Sequence, residues 1–142
     1  MSKVWLITGC SRGLGRELAQ AVLAAGDRLV ATARDPRDLA YLSPGDRLRT
    51  VALDVTDAEA ARAAVGVATS AFGRLDVVVN NAGYAHANSI EDMSRQDFRH
   101  QFEIDFFGVY NVTHAALPVM HAQRDGYIVQ VSSIGGRLAS AG

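Results

Sequence analysis

Short, uninterrupted apolar runs alternate along the chain with longer stretches in which apolar residues recur at helical spacing. The first such run, Val4–Ile7, predicts a strand that is buried on both faces. Apolar positions every three or four residues after Gly13 then predict a helix that Gly26 ends. Similar apolar runs predict further strands at residues 28–33, 48–53, 75–79 and 127–131.

Capping residues and glycines predict where the remaining helices begin and end. Pro36 suits the first position of a short helix over residues 36–42. Thr56 and Glu59 fit a capping box that opens an alanine-rich helix, and Gly73 ends this helix. Ser94 suits the N-cap of a last helix that reaches residue 124, which is roughly 45 Å away if the helix is unbroken.

One face of this last helix is expected to be apolar. At helical spacing it carries Phe98, Phe102, Asp105, Val109, Val112 and Ala116. Asp105 is therefore predicted on an apolar face, where a charge is costly unless it is paired or hydrogen-bonded.

Strands that alternate with helices predict βαβ units, and hence a parallel sheet with helices on both faces. We expect one domain over residues 1–142: a Rossmann-like, doubly wound, three-layer α/β fold with about five strands. Ligands bind such sheets at the carboxyl ends of the strands. The glycine turn at residues 9–15, Arg34, Asp54 and the Asn-Ala-Gly at residues 81–83 all fall at predicted strand ends.

The turn after the first strand has the spacing Gly-x-x-x-Gly-x-Gly. Glycines let the backbone approach a ligand closely, and the N-terminus of the following helix offers free N–H groups to an anion. A strand, this turn and a helix together predict a pyrophosphate site, although a glycine turn can also simply connect two elements. The residues of this predicted site are Gly9, Ser11, Arg12, Gly13, Leu14 and Gly15.

Composition narrows the choice of partner and compartment. The chain has 142 residues, 49% of them hydrophobic, and a formal net charge of −1, which gives no reason to expect nucleic acid as a partner. It shows no membrane-spanning apolar stretch and no signal peptide, so a cytoplasmic protein without a membrane partner is expected. Cys10 is the single cysteine and the histidines lack ligand spacing, so no metal site is expected.

Four motifs in order resemble the short-chain dehydrogenase/reductase family over essentially the whole chain. The glycine turn matches the family's cofactor motif, and Asp54 matches its adenine-contacting acid. Asn80-Asn81-Ala82-Gly83 matches the family's Asn-Asn-Ala-Gly motif, and Ser132-Ser133 matches the segment that carries its catalytic serine. We assign that serine to Ser133 rather than to Ser132, because Ser133 stands directly before Ile134-Gly135-Gly136. The resemblance implies hydride transfer between a nicotinamide cofactor and a small alcohol or carbonyl substrate. It also implies cofactor contacts from Asp54, Val55, Asn81, Ala82 and Gly83, and a homodimer or homotetramer in the full-length form.

The residues at the end of the second predicted strand favour NADP(H) over NAD. Family members that prefer NAD usually carry an acid at this position, where it accepts a bond from the ribose 2′-hydroxyl. Here the position holds Ala33 and Arg34 follows, while Arg12 stands in the glycine turn. Two arginines suit a 2′-phosphate, although both could also be solvated surface residues.

Two departures from the family pattern bear on catalysis. The family's helix asparagine, which takes part in catalysis, falls at Asp105, which we expect to be a relay or a structural acid. A carboxylate accepts hydrogen bonds but cannot donate through an amide. The Tyr-x-x-x-Lys that should follow Ser133 is not in this sequence, and the predicted last strand would leave an open apolar edge. We therefore expect the N-terminal, cofactor-binding portion of an oxidoreductase, inactive by itself. A non-catalytic dinucleotide-binding module and an interaction fragment are the alternatives.

Overall fold

A computed structural model of the chain describes residues 2–138. The strands are β1 (Val4–Ile7), β2 (Arg28–Ala33), β3 (Leu48–Ala52), β4 (Val77–Asn80) and β5 (Tyr127–Gln130). The α-helices are α1 (Gly13–Ala24), α2 (Ala58–Phe72), α3 (Arg95–Phe102) and α4 (Val109–Gln123). A π-helical turn, Glu103–Gly108, joins α3 to α4, and 3₁₀ helices cover Pro36–Leu39 and Ile134–Gly136.

The strands form one parallel sheet in the order β3-β2-β1-β4-β5. The central strand β1 pairs on both sides, so that Leu6 lies between Val30 and Val78. Alternate residues of these strands face opposite sides, because side chains in a strand have a period of two. The sheet therefore needs a covering layer on each face.

Helices supply both covering layers. The core on one side packs Val4, Leu6 and Val78 against α2 and α4, and the core on the other side packs Ile7, Leu29 and Val79 against α1 and the first 3₁₀ helix. The three-layer, doubly wound α/β fold predicted from the sequence is confirmed. Since the crossovers change side between β1 and β4, a crevice opens at the carboxyl ends of these two strands.

The predicted capping box of the second helix is wrong. Asp57, not Thr56, is the N-cap of α2, and its carboxylate accepts hydrogen bonds from the N–H groups of Glu59 and Ala60. Thr56 lies outside the helix, where both its N–H and its hydroxyl donate to Asp54. Because its hydroxyl is bonded to Asp54, Thr56 does not cap the helix. The predicted end at Gly73 is confirmed, with a φ of 77°.

The single long helix predicted after Ser94 is interrupted. Ser94 caps α3 as predicted, through a 3.0 Å bond from the N–H of Asp97. The π-helical turn then widens the helix, and the apolar stripe predicted for an unbroken α-helix does not keep one buried face. Val112 and Ala116 are buried, whereas Phe98 and Phe102 are 44% and 50% exposed. Asp105 is also exposed, so its predicted place on a buried apolar face is wrong.

Among residues 2–138, no strand pairs with the outer side of β5, so the described sheet has the open edge that the sequence predicts. Ile128 and Val129 are half-buried there, while Tyr127 is 69% exposed. In the part of the chain that the structure describes, no helix is both long enough and apolar enough to cross a bilayer.

Candidate functional site

The carboxyl ends of β1 and β4 are tied together by Thr8 and Asn81. The Thr8 hydroxyl oxygen accepts hydrogen bonds from the N–H of Asn81 at 3.0 Å and the N–H of Ala82 at 2.9 Å. In return, the Asn81 side-chain amide donates to the carbonyls of Thr8 at 2.9 Å and Gly9 at 3.1 Å. These four bonds fix the glycine turn against the Asn-Ala-Gly segment, which brings two of the predicted site segments together.

Two glycines of the turn are needed because backbone lies directly against them. A Cβ on Gly9, which has a φ of +70°, would lie 2.9 Å from the Cα of Ala82. A Cβ on Gly15 would collide with the Gly9 carbonyl oxygen and the Asn81 amide nitrogen. The turn therefore packs closely against the end of β4 while its outer surface stays open.

The N-terminus of α1 faces this turn without a side-chain cap. Arg12 is the N-cap residue, its backbone is extended, and its side chain makes no capping bond. The first turn of α1 carries no acidic residue. The first N–H groups of the helix and the positive end of its dipole are thus available to an anion, in a position that two strand ends hold fixed.

A cleft of about 780 Å³ lies at this edge of the sheet. Eleven of the twelve predicted cofactor residues line it: Gly9, Ser11, Arg12, Gly13, Leu14, Arg34, Asp54, Val55, Asn81, Ala82 and Gly83. Gly15, the twelfth, lies behind the turn, where its missing side chain permits the close packing. The structure therefore gathers residues from four separate strand ends around one space.

Sequence reasoning missed several residues of this cleft. Asp38, Leu53, His100 and Ile104 also line it. His100 and Ile104 are four residues apart and so share a helix face, but which face turns to the cleft depends on how α3 packs. Asp38 belongs to the 3₁₀ helix after β2, and its orientation follows from that local turn.

The ends of β2 and β3 each bring one charged side chain to the cleft, Arg34 after β2 and Asp54 after β3. Asp54 accepts bonds from the N–H and hydroxyl of Thr56, at 3.0 and 2.7 Å, and its pKa is lowered mainly by the backbone bond. Arg34 and His100 are close enough to lower this pKa further. Arg34 is exposed at the cleft and, among residues 2–138, forms no salt bridge.

Asp35, the acid next to Arg34, binds Arg37 and does not line the cleft. Its carboxylate accepts 3.0 and 2.9 Å bonds from the Nε of Arg37 and caps the short 3₁₀ helix through the Arg37 N–H. The bonds from Arg37 lower the pKa of Asp35. Since Asp35 does not line the cleft, the end of β2 presents a free cation there.

The two predicted catalytic residues lie apart from most of the cleft. Asp105 accepts a 2.8 Å bond from the N–H of Tyr84, so it holds the segment that follows Gly83. Ser133 follows β5 and is exposed, and its Oγ accepts a 3.0 Å bond from the N–H of Gly135. Asp105 is thus joined to the cleft wall through Tyr84, whereas Ser133 does not line the cleft. Within residues 2–138, no three potential ligands are grouped around a metal position.

A doubly wound parallel sheet with a glycine turn after β1 and polar strand ends around one cleft defines a Rossmann-like domain. The chain belongs to the short chain dehydrogenase family, whose pattern matches residues 3–142.

Relatives of this family share both sequence and fold with the chain. It is 47% identical to Oxidoreductase BOA17 of Botryotinia fuckeliana, in an alignment covering 100% of this chain and 53% of that protein. A short-chain dehydrogenase from Streptomyces avermitilis matches 99% of this chain with a TM-score of 0.93 and 40% identity, over 53% of its own chain. A gluconate 5-dehydrogenase from Burkholderia cenocepacia, solved with NADP and tartrate, gives a TM-score of 0.89 and 27% identity over 99% of this chain and 57% of its own. The chain thus spans about half the length of these relatives.

Proposed function

We propose that this chain forms the NADP(H)-binding portion of an oxidoreductase that transfers hydride between a nicotinamide and a small alcohol or carbonyl substrate. The observation that carries the proposal is the convergence of the glycine turn, Arg34, Asp54 and the Asn-Ala-Gly segment on one cleft. Family membership supports it, since the relatives are named oxidoreductases and dehydrogenases.

The residues of the cleft fit the chemistry of a dinucleotide. The glycine turn and the uncapped start of α1 would hold the diphosphate through backbone N–H groups. Asp54, Val55 and Ile104 would enclose the adenine, with the carboxylate accepting a hydrogen bond from it. The backbone of residues 81–83 would lie against the sugar, because the Thr8 bonds hold it at the cleft wall.

The preference for NADP(H) rests on charge at the end of β2. Arg34 and Arg12 both line the cleft, and a guanidinium binds phosphate through strong, paired hydrogen bonds. The nearby Asp35 carboxylate is occupied by Arg37, so it does not compete for the ribose. The relative from Burkholderia cenocepacia was solved with NADP, which is consistent with this preference.

Two residues would act near the reacting groups. The bound nicotinamide supplies the carbon that accepts or donates hydride. Ser133, whose Oγ accepts a bond from the N–H of Gly135, would hold the substrate oxygen by donating a hydrogen bond from its hydroxyl. Asp105 would fix the segment at Tyr84, where it accepts the bond from the N–H of Tyr84, because a carboxylate has no amide N–H to donate.

The exposed aromatic residues beyond Asp105 favour self-association of the full-length protein. Phe106, Phe107 and Tyr110 are 61%, 47% and 58% exposed on the π-helical turn and α4. We propose that these side chains are covered by a second copy in a homodimer or homotetramer. The sedimentation velocity of the full-length protein measures its mass, and a monomer at all concentrations would contradict this.

The cofactor preference is tested by Arg34→Asp in the protein expressed from its natural gene. One charge-assisted hydrogen bond contributes about 1.5–3 kcal/mol, so we expect the Kd for NADPH to rise roughly 10- to 100-fold. The Kd for NADH should not rise, because NADH has no 2′-phosphate and the new carboxylate can accept a hydrogen bond from the ribose 2′-hydroxyl. Arg95→Asp, at the exposed start of α3, makes the same charge change away from the cleft and should leave both constants unchanged. A parent protein that binds both cofactors equally would contradict the proposal.

The proposed chemistry needs a separate test. The full-length protein should oxidise NADPH in the presence of some member of a panel of aldehydes and ketones, and Ser133→Ala should slow this reaction more than it weakens NADPH binding. The opposite result is a protein that binds NADPH, reduces no carbonyl in the panel and oxidises no alcohol with NADP. That result would favour the non-catalytic module.

A further inference from the structure

Tyr41 contacts the glycine turn from outside the cleft lining. Its hydroxyl donates a 2.7 Å hydrogen bond to the carbonyl oxygen of Cys10. Tyr41 follows the first 3₁₀ helix and does not line the cleft, whereas Ser11, the residue after Cys10, does. The bond thus connects the segment after β2 to the peptide that begins the outer part of the turn.

This bond sets the direction of a specific N–H group. The carbonyl of Cys10 and the N–H of Ser11 belong to one trans peptide, so they point in opposite directions. With its oxygen held by Tyr41, this peptide directs the Ser11 N–H away from Tyr41. Cys10 itself cannot turn freely, since its N–H donates to the Thr32 carbonyl at 2.8 Å and its thiol is buried.

Two further contacts hold the Tyr41 side chain. The guanidinium of Arg16, from the first turns of α1, lies 4.1 Å from the ring centroid, and such cation–π contacts are attractive. The ring also packs against the core on the α1 side of the sheet. Burial raises the pKa of Tyr41 to about 12, so the hydroxyl keeps its proton and remains a donor at neutral pH.

We propose that Tyr41 is a positioning residue that presents the Ser11 N–H to the cofactor diphosphate. The inference rests on the proposed function, because it assigns the diphosphate to the glycine turn. It predicts that the Tyr41 hydroxyl contributes to the binding of ligands that carry a diphosphate and not to the binding of ligands that lack one. A merely structural tyrosine would affect both kinds of ligand equally.

The test is the full-length variant Tyr41→Phe, which keeps the ring and the Arg16 contact but removes the hydroxyl. Calorimetric titration would compare NADPH with adenosine 2′-monophosphate, which has the adenine and 2′-phosphate but no diphosphate. From the usual net contribution of one hydrogen bond, we expect the Kd for NADPH to rise about three- to tenfold. The Kd for adenosine 2′-monophosphate should stay within about twofold, since no diphosphate contact is involved. Tyr127→Phe, an exposed tyrosine on β5 that does not line the cleft, is the matched control and should leave both constants unchanged.

The outcomes separate this inference from the proposed function. A parent protein that binds NADPH but loses no affinity in Tyr41→Phe would overturn the role of Tyr41 alone. An equal loss for both ligands would show a merely structural residue and would also overturn it. A parent protein that binds neither ligand would overturn the proposed function, and this inference with it.

Discussion

Thr8 holds the site together through a hydroxyl that makes no contact with a ligand in our account, so Thr8→Val is an informative perturbation. The side chain is only 1% exposed, and valine has nearly the same shape. The substitution removes the acceptor that the N–H groups of Asn81 and Ala82 share, at 3.0 and 2.9 Å. It also removes the 3.4 Å bond that the hydroxyl donates to the Val79 carbonyl. The ends of β1 and β4 would then be joined by the Asn81 amide and by the 3.0 Å backbone bond from the Thr8 N–H to the Val79 carbonyl.

The size of the effect follows from the number of donors left without a partner. An unsatisfied buried donor costs about 1–3 kcal/mol, and the two N–H groups here belong to half-buried residues. We therefore expect Thr8→Val to lower the free energy of unfolding by about 2–4 kcal/mol. Thr32→Val is the matched control, because the Thr32 hydroxyl is equally buried but only donates one bond, to the Ile7 carbonyl at 3.2 Å. It should cost about 0.5–1.5 kcal/mol.

Urea unfolding of the full-length protein and both variants measures these differences, provided that the slope with urea is the same in all three. NADPH titration of the same samples should show weaker binding for Thr8→Val than for Thr32→Val, because only Thr8 fixes the wall of the cleft. Equal destabilisation by the two substitutions would refute the reasoning, since it would mean that the Asn81 and Ala82 donors find other partners.

Three further predictions concern single positions. Gly15→Ala places a Cβ against the Gly9 carbonyl and should lower the free energy of unfolding by about 1–3 kcal/mol, measured by thermal unfolding. Gly66→Ala is the control: its Cβ would enter open space on α2 and should stabilise the protein. Unchanged stability of Gly15→Ala would contradict the close packing at Gly15. Burial raises the pKa of the Cys10 thiol to about 11, so iodoacetamide should not label the folded protein at pH 8 but should label it in urea, and fast native labelling would contradict this. Because folding raises that pKa, the neutral Cys10 thiol contributes to the free energy of unfolding below the ordinary pKa of 9.0. This contribution is lost as the pH rises from 9.0 towards 11. Asp38→Asn removes a negative charge from the cleft and should tighten NADPH binding about two- to fivefold. Asp46→Asn, in a loop that does not line the cleft, is the control and should leave NADPH binding unchanged. Weaker binding by Asp38→Asn would contradict this expectation and would show that Asp38 is a ligand contact.

Much of the fold follows from local patterns in the sequence. The apolar runs locate all five strands of the described sheet, and the glycines at 26 and 73 mark the ends of α1 and α2. These signals are local: a buried parallel strand must be apolar on both faces, and a left-handed residue at a helix end favours glycine. The convergence of the cofactor residues follows from topology, since the carboxyl ends of parallel strands share one edge.

What the sequence does not reveal depends on packing between distant segments or on competition between neighbouring side chains. The π-helical turn at Glu103–Gly108 has no single residue that demands it, and it changes the face on which Asp105 lies. Asp57 replaces Thr56 as the cap of α2 because Asp54 binds Thr56. Tyr41 and Cys10 are far apart in sequence, and their contact is visible only once β2 and the glycine turn are side by side.

The central claim is that the cleft binds a nicotinamide dinucleotide and prefers the one with a 2′-phosphate. Equilibrium titration of the full-length parent protein with NADPH and NADH, at one salt concentration, tests it most directly. The account predicts saturable binding of both, with NADPH tighter by about tenfold or more, as expected for a charge-assisted phosphate contact. Equal affinities, or tighter binding of NADH, would contradict the role assigned to Arg34 and Arg12.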